Sequence, residues 1–250
     1  MFDRPEQLGA IWRDGAALDD AVAAAPRGAT VAACPGWTAA DLAWHVGEVH
    51  HFWCWVVDSR ATEPSAYAAP DRPAEDDLVA WGRRQVDILV QVLTAAEPTT
   101  PVWSWAPGET DVAWVTRRMA HETAVHRWDA EHAAGRGWAM PPALAADGLA
   151  ELFAYFTGTP VAGAAPVGGT VHLHATDPEL AAGAGEWLLD ADETGPIRAR
   201  PEHAKGDVAL RGTAADLLLA LWRRVPLDDR FTTFGDLAVA ARLIARTDLG

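Results

Sequence analysis

Helical periodicity over the first 137 residues is the feature that most constrains the fold of this chain. Apolar side chains recur every three or four positions in four segments of about twenty residues, and loops with proline and glycine separate them. The segments begin near Leu8, Thr38, Ala74 and Asp111 and end near Val22, Asp58, Ala96 and Ala133. Because each helix must bury its apolar face, four such helices joined by loops predict an antiparallel bundle.

The pattern changes after residue 137. The sequence predicts a helix over 143–156, β-rich runs in "TVHLHAT", "EWLLD" and "DVALR", and closing helices from Ala214 to Arg224 and from Leu237 to Arg246. Residues 158–169, "GTPVAGAAPVGG", lack the Gly-Lys-Ser/Thr ending of a phosphate loop, and we interpret them as a connector. We therefore predict an α+β fold, with a four-helix bundle over 1–137 and a small C-terminal α+β domain over 138–250.

Charge and hydropathy exclude several classes of function. The formal net charge is −15 and no basic run occurs, so a broad nucleic-acid surface is not expected. No stretch has the apolar length of a membrane span, and the N-terminus lacks the basic start and apolar run of a secretory signal. The two cysteines, Cys34 and Cys54, suit a reducing compartment. We expect a cytoplasmic monomer or homodimer that acts on small molecules.

Three ionisable residues fall on helix faces that should be inside the bundle. His45 lies on the apolar stripe of the second segment, and Glu122 and His126 lie one turn apart on the fourth, in a stripe that begins with Val115 and Met119. A divalent metal ion shared by these residues would relieve the free-energy penalty of burying them. Two histidines and one glutamate suit Zn²⁺ and leave a coordination position open. The pattern alone leaves a second interpretation, in which all three are ordinary hydrogen-bonded bundle residues.

The motifs around these residues resemble a known family. "CPGWTAADLAWHVGEVHHF" and "HETAVHRWDAE" resemble the mycothiol-dependent maleylpyruvate isomerase family, whose N-terminal half belongs to the DinB-like metal-binding bundles. "HLHATD", "EWLLD" and "LRGTAADLLLALWRR" resemble the smaller C-terminal domain of that family. The resemblance implies that His45, Glu122 and His126 are the metal ligands, with Zn²⁺ or another divalent metal as cofactor and mycothiol as thiol cosubstrate.

The resemblance also implies a chemistry, because a metal ion deprotonates a bound thiol. The thiolate would add to an electrophilic double bond, as an isomerase requires, or displace a leaving group, as an S-transferase does. Trp103 and Trp105 are predicted to line the cofactor pocket. Arg224, ahead of Arg223, is predicted to bind a carboxylate of the substrate or of the thiol cofactor. An ordinary charge at a helix end explains these arginines equally simply.

Two other classes of function stay open at this point. One is a metal-binding or regulatory protein without catalysis, in which a further protein ligand would close the metal site. The other is a metal-dependent hydrolase, which would turn over without any added thiol. A zinc-protease motif is absent, because His121 and His126 are five residues apart and do not share a helix face as HExxH requires.

Overall fold

The computed structural model describes residues 2–108, 110–158, 162–193 and 195–247. The chain divides into two compact units, Met1–Trp138 and Ala139–Gly250. Residues 159–161 of the predicted connector lie outside the described residues. Within the described ranges, no helix combines the length and the apolar character that a bilayer crossing would require.

The first unit is a bundle of helices, as the apolar periodicity predicts. The helices are α1 (Arg4–Ala24), α2 (Ala39–Ser59), α3 (Leu78–Ala95) and α4 (Val112–Ala133). Helix α1 contacts α3 and α4, and α2 contacts the same two partners. Thr38 caps α2 by accepting a hydrogen bond from the backbone N–H of Asp41, whose carboxylate in turn accepts from the backbone N–H of Thr38. This confirms the predicted capping box.

The core of the bundle consists of two apolar clusters. The first includes Ile11, Trp53, Leu89, Met119 and Val115. The second is smaller and includes Leu18, Val31, Leu42, Val46 and Ala130, with Cys34 and Trp37 packed against it.

The second unit combines helices with a mixed sheet. Its elements are α5 (Pro142–Tyr155), β1 (Val171–Ala175), β2 (Glu186–Ala191), β3 (Ile197–Arg200), β4 (Val208–Gly212), α6 (Ala214–Leu221), β5 (Thr232–Phe234) and α7 (Leu237–Ala245). The strand order is β3-β2-β1-β4-β5, with β1 and β4 parallel and the other pairs antiparallel. A helical bundle followed by this unit confirms the predicted α+β fold class.

Several element boundaries differ from the sequence-based expectation. Helix α3 begins at Leu78 rather than near Ala74, because residues Glu75–Asp77 form a 3₁₀ turn. Helix α6 ends at Leu221 rather than Arg224, and Arg223 takes a left-handed conformation with φ of 59°. The short strands β3 and β5 were not predicted.

Candidate metal centre

The residues His45, Glu122 and His126, which we call the bundle site, come together between α2 and α4. His45 lies in the second turn of α2, and Glu122 and His126 lie on successive turns of α4. The Oε1 atom of Glu122 lies 3.4 Å from Nε2 of His45 and 3.2 Å from Nε2 of His126. One potential ligand atom from each of these residues lies within 4.8 Å of the others. The structure therefore brings all three predicted ligands together.

The second carboxylate oxygen of Glu122 has a different partner. Its Oε2 atom accepts a hydrogen bond from the guanidinium of Arg118, one turn earlier on α4 and 5% exposed. Burial by itself would raise the pKa of Glu122, but Arg118 and His126 outweigh it and hold that pKa well below its ordinary value. Glu122 is therefore a carboxylate at neutral pH, with Oε1 directed to the two histidines. Sequence reasoning missed Arg118, although its i,i+4 spacing from Glu122 was visible.

Asp129 holds the other nitrogen of His126. Its Oδ2 atom lies 2.9 Å from Nδ1 of His126, and the Asp129 side chain is buried. Burial opposes the charged imidazolium, but Glu122 and Asp129 outweigh it and raise the pKa of His126 to about 9. A carboxylate on Nδ1 favours the proton there and leaves Nε2 for a metal ion, which is the usual arrangement around histidine ligands.

The loop between α1 and α2 covers one side of the bundle site. A bridge between Thr30 and Thr38 closes this loop and places Trp37 against His45, with ring centroids 4.8 Å apart. Cys34 of the same loop forms a second potential ligand set with His126 and Asp129. The His45 side chain is 33% exposed, against 10% for His126, so the site opens to solvent on the His45 side.

His50, in the turn of α2 that follows His45, is not part of the bundle site and has a structural role. It is fully buried, and its Nε2 lies 2.8 Å from the hydroxyl oxygen of Thr123. Burial lowers the pKa of His50 to about 4, so the ring is neutral at physiological pH.

Trp103 and Trp105 lie away from the bundle site. Trp103 packs against the first apolar cluster, where its ring stacks on Trp53 at 6.1 Å. The Trp105 ring makes an edge contact with Trp114, which precedes Glu122 by eight residues, or about 12 Å along the helix axis. The structure therefore does not bring these two tryptophans to the predicted ligands, and their role in cofactor binding stays a prediction.

The two arginines that follow α6 lie in the second unit and differ in their contacts. Arg223 donates hydrogen bonds to the carbonyls of Ile244, Ala245 and Thr247 at the end of α7, which is a structural role. Arg224 is half-buried and donates to the carbonyl of Trp222. Its guanidinium also lies 5.7 Å from the centre of the Trp222 ring. Arg223 is therefore engaged with the end of α7, and the role of Arg224 in substrate binding stays a prediction.

Comparisons with known proteins agree with this architecture. The crystal structure of the mycothiol-dependent maleylpyruvate isomerase superposes on the chain with a TM-score of 0.63 and 15% sequence identity, over 92% of both chains. A histidine-to-alanine mutant of that isomerase superposes with a TM-score of 0.62 and 14% identity over the same shares. No curated protein shows a significant sequence match.

Family models identify both parts of the chain. The mycothiol maleylpyruvate isomerase N-terminal domain matches residues 8–131, and the MDMPI C-terminal domain matches residues 143–242. The two matches together span both compact units. The chain therefore belongs to the mycothiol-dependent maleylpyruvate isomerase family, a family of enzymes.

Proposed function

We propose that this protein is a zinc-dependent enzyme that uses mycothiol to isomerise a small electrophilic substrate, or to transfer sulfur to it. The observation that carries the proposal is the convergence of His45, Glu122 and His126 on one point of the bundle, open to solvent on one side. The family match supports the choice of thiol.

The donor set fits a catalytic zinc ion. Two imidazole nitrogens and one carboxylate oxygen are ligands that Zn²⁺ prefers, and three protein ligands leave one tetrahedral position for a substrate. Within the described residues, the potential ligand groups include no fourth cysteine, histidine or acidic side chain that joins all three. The exposure of the His45 side chain supports an open centre over the closed centre of a structural or regulatory site.

The surrounding residues prepare the site for a thiol. When bound, a zinc ion would lower the pKa of a thiol and keep it as a thiolate at neutral pH. Arg118 fixes the Glu122 carboxylate, and Asp129 fixes the His126 ring, so neither ligand has to reorient. Trp37, which lies against His45, is proposed to form the apolar wall beside the sulfur.

In an isomerisation, the thiolate would act as a nucleophile and would be released unchanged at the end of the reaction. The chemistry that mycothiol would supply is reversible addition of its sulfur to one carbon of a cis double bond, which would allow rotation about the resulting single bond and would restore the double bond in the trans form on loss of the same thiolate. No atom or electron is gained or lost in this cycle. In sulfur transfer, the thiolate instead displaces a leaving group and stays on the product. We propose that Arg224 binds the carboxylate of the substrate, because a guanidinium matches that group in shape and charge.

The test measures zinc content and turnover together. We expect His126→Ala to lose one zinc equivalent per chain relative to the wild type and to lose mycothiol-dependent turnover of maleylpyruvate. His132→Gln, which removes an exposed histidine stacked on Trp128, is the matched control and should keep both.

Three outcomes would contradict the proposal. Equal zinc content in His126→Ala and the wild type would exclude the bundle site as the metal centre. Turnover that needs zinc but no thiol would identify a hydrolase. Zinc binding at the bundle site without turnover of any electrophile would favour the binding or regulatory role.

A further inference from the structure

A second group of metal-binding side chains lies in the C-terminal unit, separate from the bundle site. His172 and His174 alternate along β1 and therefore point to the same face of the sheet. Glu186, the first residue of β2, is the register partner of His174 on that face. His203 comes from the connection between β3 and β4. We call these four residues the sheet cluster.

The sheet cluster lies on the face of β1 that does not pack against the closing helices. Val171 and Leu173 alternate with the two histidines, and they lie together with Leu217 of α6 and Leu243 of α7. The apolar core of this unit is thus on one face, and the sheet cluster is on the other.

Three imidazoles meet at a single oxygen atom. The Oε2 atom of Glu186 lies 3.2 Å from Nε2 of His172 and 3.3 Å from Nδ1 of His174, and it also contacts Nδ1 of His203. A carboxylate oxygen has two lone pairs, so three ring nitrogens exceed the number of hydrogen bonds it accepts well. The His172 and Glu186 side chains are only 9% and 14% exposed, so bulk water has little access to relieve this crowding. A cation bound among the four side chains would satisfy every ligand atom.

Two of the three separations from Glu186 Oε2 match those of a tetrahedral zinc site. With zinc bonds of about 2.0–2.1 Å, two ligand atoms of a tetrahedron lie about 3.3–3.4 Å apart. The separations of 3.2 and 3.3 Å from Glu186 Oε2 to His172 Nε2 and His174 Nδ1 are close to that value, and the shorter contact with His203 would have to lengthen. All four ligand atoms lie within 4.8 Å of one another. Small side-chain movements would therefore complete the coordination.

We propose that His172, His174, Glu186 and His203 form a second metal site that binds Zn²⁺ as a closed, structural centre. Four protein ligands fill a tetrahedral shell and leave no position for a substrate, in contrast to the three ligands of the bundle site. The metal ion would join β1 and β2 to the β3–β4 connection. Without a metal ion, the His203 side chain in that connection is 72% exposed. The expected effect is stabilisation of the sheet unit.

The experiment separates the two sites by emptying the bundle site first. Full-length protein carrying His126→Ala is loaded with Zn²⁺, desalted and measured by elemental analysis. We expect about one zinc ion per chain to remain, and further substitution of His172→Gln and His174→Gln to remove it. Adding His132→Gln instead is the matched control and should leave the zinc content unchanged. Zinc should also raise the unfolding temperature of His126→Ala and leave that of the triple variant unchanged.

X-ray absorption at the zinc edge of the loaded His126→Ala protein needs no change in the sheet cluster, so it tests the proposal even where the triple variant does not fold. We expect a shell of four nitrogen and oxygen neighbours with the scattering of three imidazoles. A zinc-free His126→Ala protein, a zinc content unaffected by the sheet substitutions, or a shell with sulfur or one imidazole would overturn the proposal. The proposed function fails on a different result, which is equal zinc content in His126→Ala and the wild type.

Discussion

Replacing Asp129 by asparagine should weaken zinc binding at the bundle site without removing a ligand. The carboxylate lies 2.9 Å from Nδ1 of His126 and is buried, so solvent does not screen the interaction. Losing such a partner of a histidine ligand weakens metal affinity about 10- to 100-fold. This corresponds to about 1.4–2.7 kcal/mol of binding free energy.

The size of the effect should depend on pH, because a proton competes with the metal ion for His126. With the pKa of His126 near 9, wild-type affinity should rise about tenfold per pH unit between 7 and 9 and then level off. Asp129→Asn lowers that pKa, because Asp129 is one of the groups that raise it. At pH 7 a proton therefore competes less with zinc in the variant than in the wild type, which offsets part of the lost affinity. The full difference in zinc affinity between variant and wild type should appear only near pH 9.

The assay is competition against a chelator of known affinity at pH 7 and pH 9. Asp87→Asn, an exposed acid on α3, is the matched control and should bind zinc as the wild type does. Unchanged affinity of Asp129→Asn at pH 9 would refute the role of Asp129. A wild-type affinity that does not vary between pH 7 and pH 9 would refute the proton competition.

Two further predictions concern the stability of the bundle. Burial raises the pKa of Asp19 to about 7, so the native state holds a proton that the unfolded chain releases, and stability falls as pH rises from about 4 to about 7. Asp19→Asn should thus gain up to about 4 kcal/mol over the wild type at pH 8 and little at pH 4 in urea unfolding, and an equal gain at both pH values would contradict this. A Cβ atom at Gly47 would lie 2.2 Å from the Trp81 ring, so Gly47→Ala should cost about 1–3 kcal/mol by the same method. Gly9→Ala is the control, because its Cβ atom would meet only the flexible end of the Arg13 side chain, and it should not lower the free energy of unfolding. Equal losses in both variants would exclude the clash with Trp81 as the cause.

The bundle was predictable from sequence because its signals are local. The apolar spacing and the Thr38 capping box specify α2 without any knowledge of its neighbours. Strands β3 and β5 were not predictable in this way. Strand β5 has three residues, too few for a repeating pattern, and only Ile197 of β3 is buried. Their places at the two edges of the sheet depend on pairing with β2 and β4.

The bundle site could be predicted only in part. Glu122 and His126 share a helix face, and the periodicity of α2 turns His45 inward, so the three were predicted together. Cys34 and Trp37 lie in the motif that also contains His45, but helical periodicity does not place them at the site, because the path of their loop depends on the bridge between Thr30 and Thr38. The sheet cluster was hidden for the same reason, since His203 reaches it from an irregular connection.

The parallel pairing of β1 with β4 has a consequence for the order in which the chain folds. β1 lies at the centre of the sheet, yet its hydrogen bonds to β4 can form only after a stretch that includes β2 and β3 has been synthesised. The contact between Thr170 and Asp207, at the start of this pair, spans 37 positions. Such long-range closure slows folding, although the bundle also depends on distant contacts, since Arg127 donates a hydrogen bond to Asp14, 113 positions away. We expect the N-terminal unit to fold first during synthesis, because it leaves the ribosome first. Until β4 has been synthesised, the edge of β1 that pairs with β4 stays unpaired and accessible to chaperones.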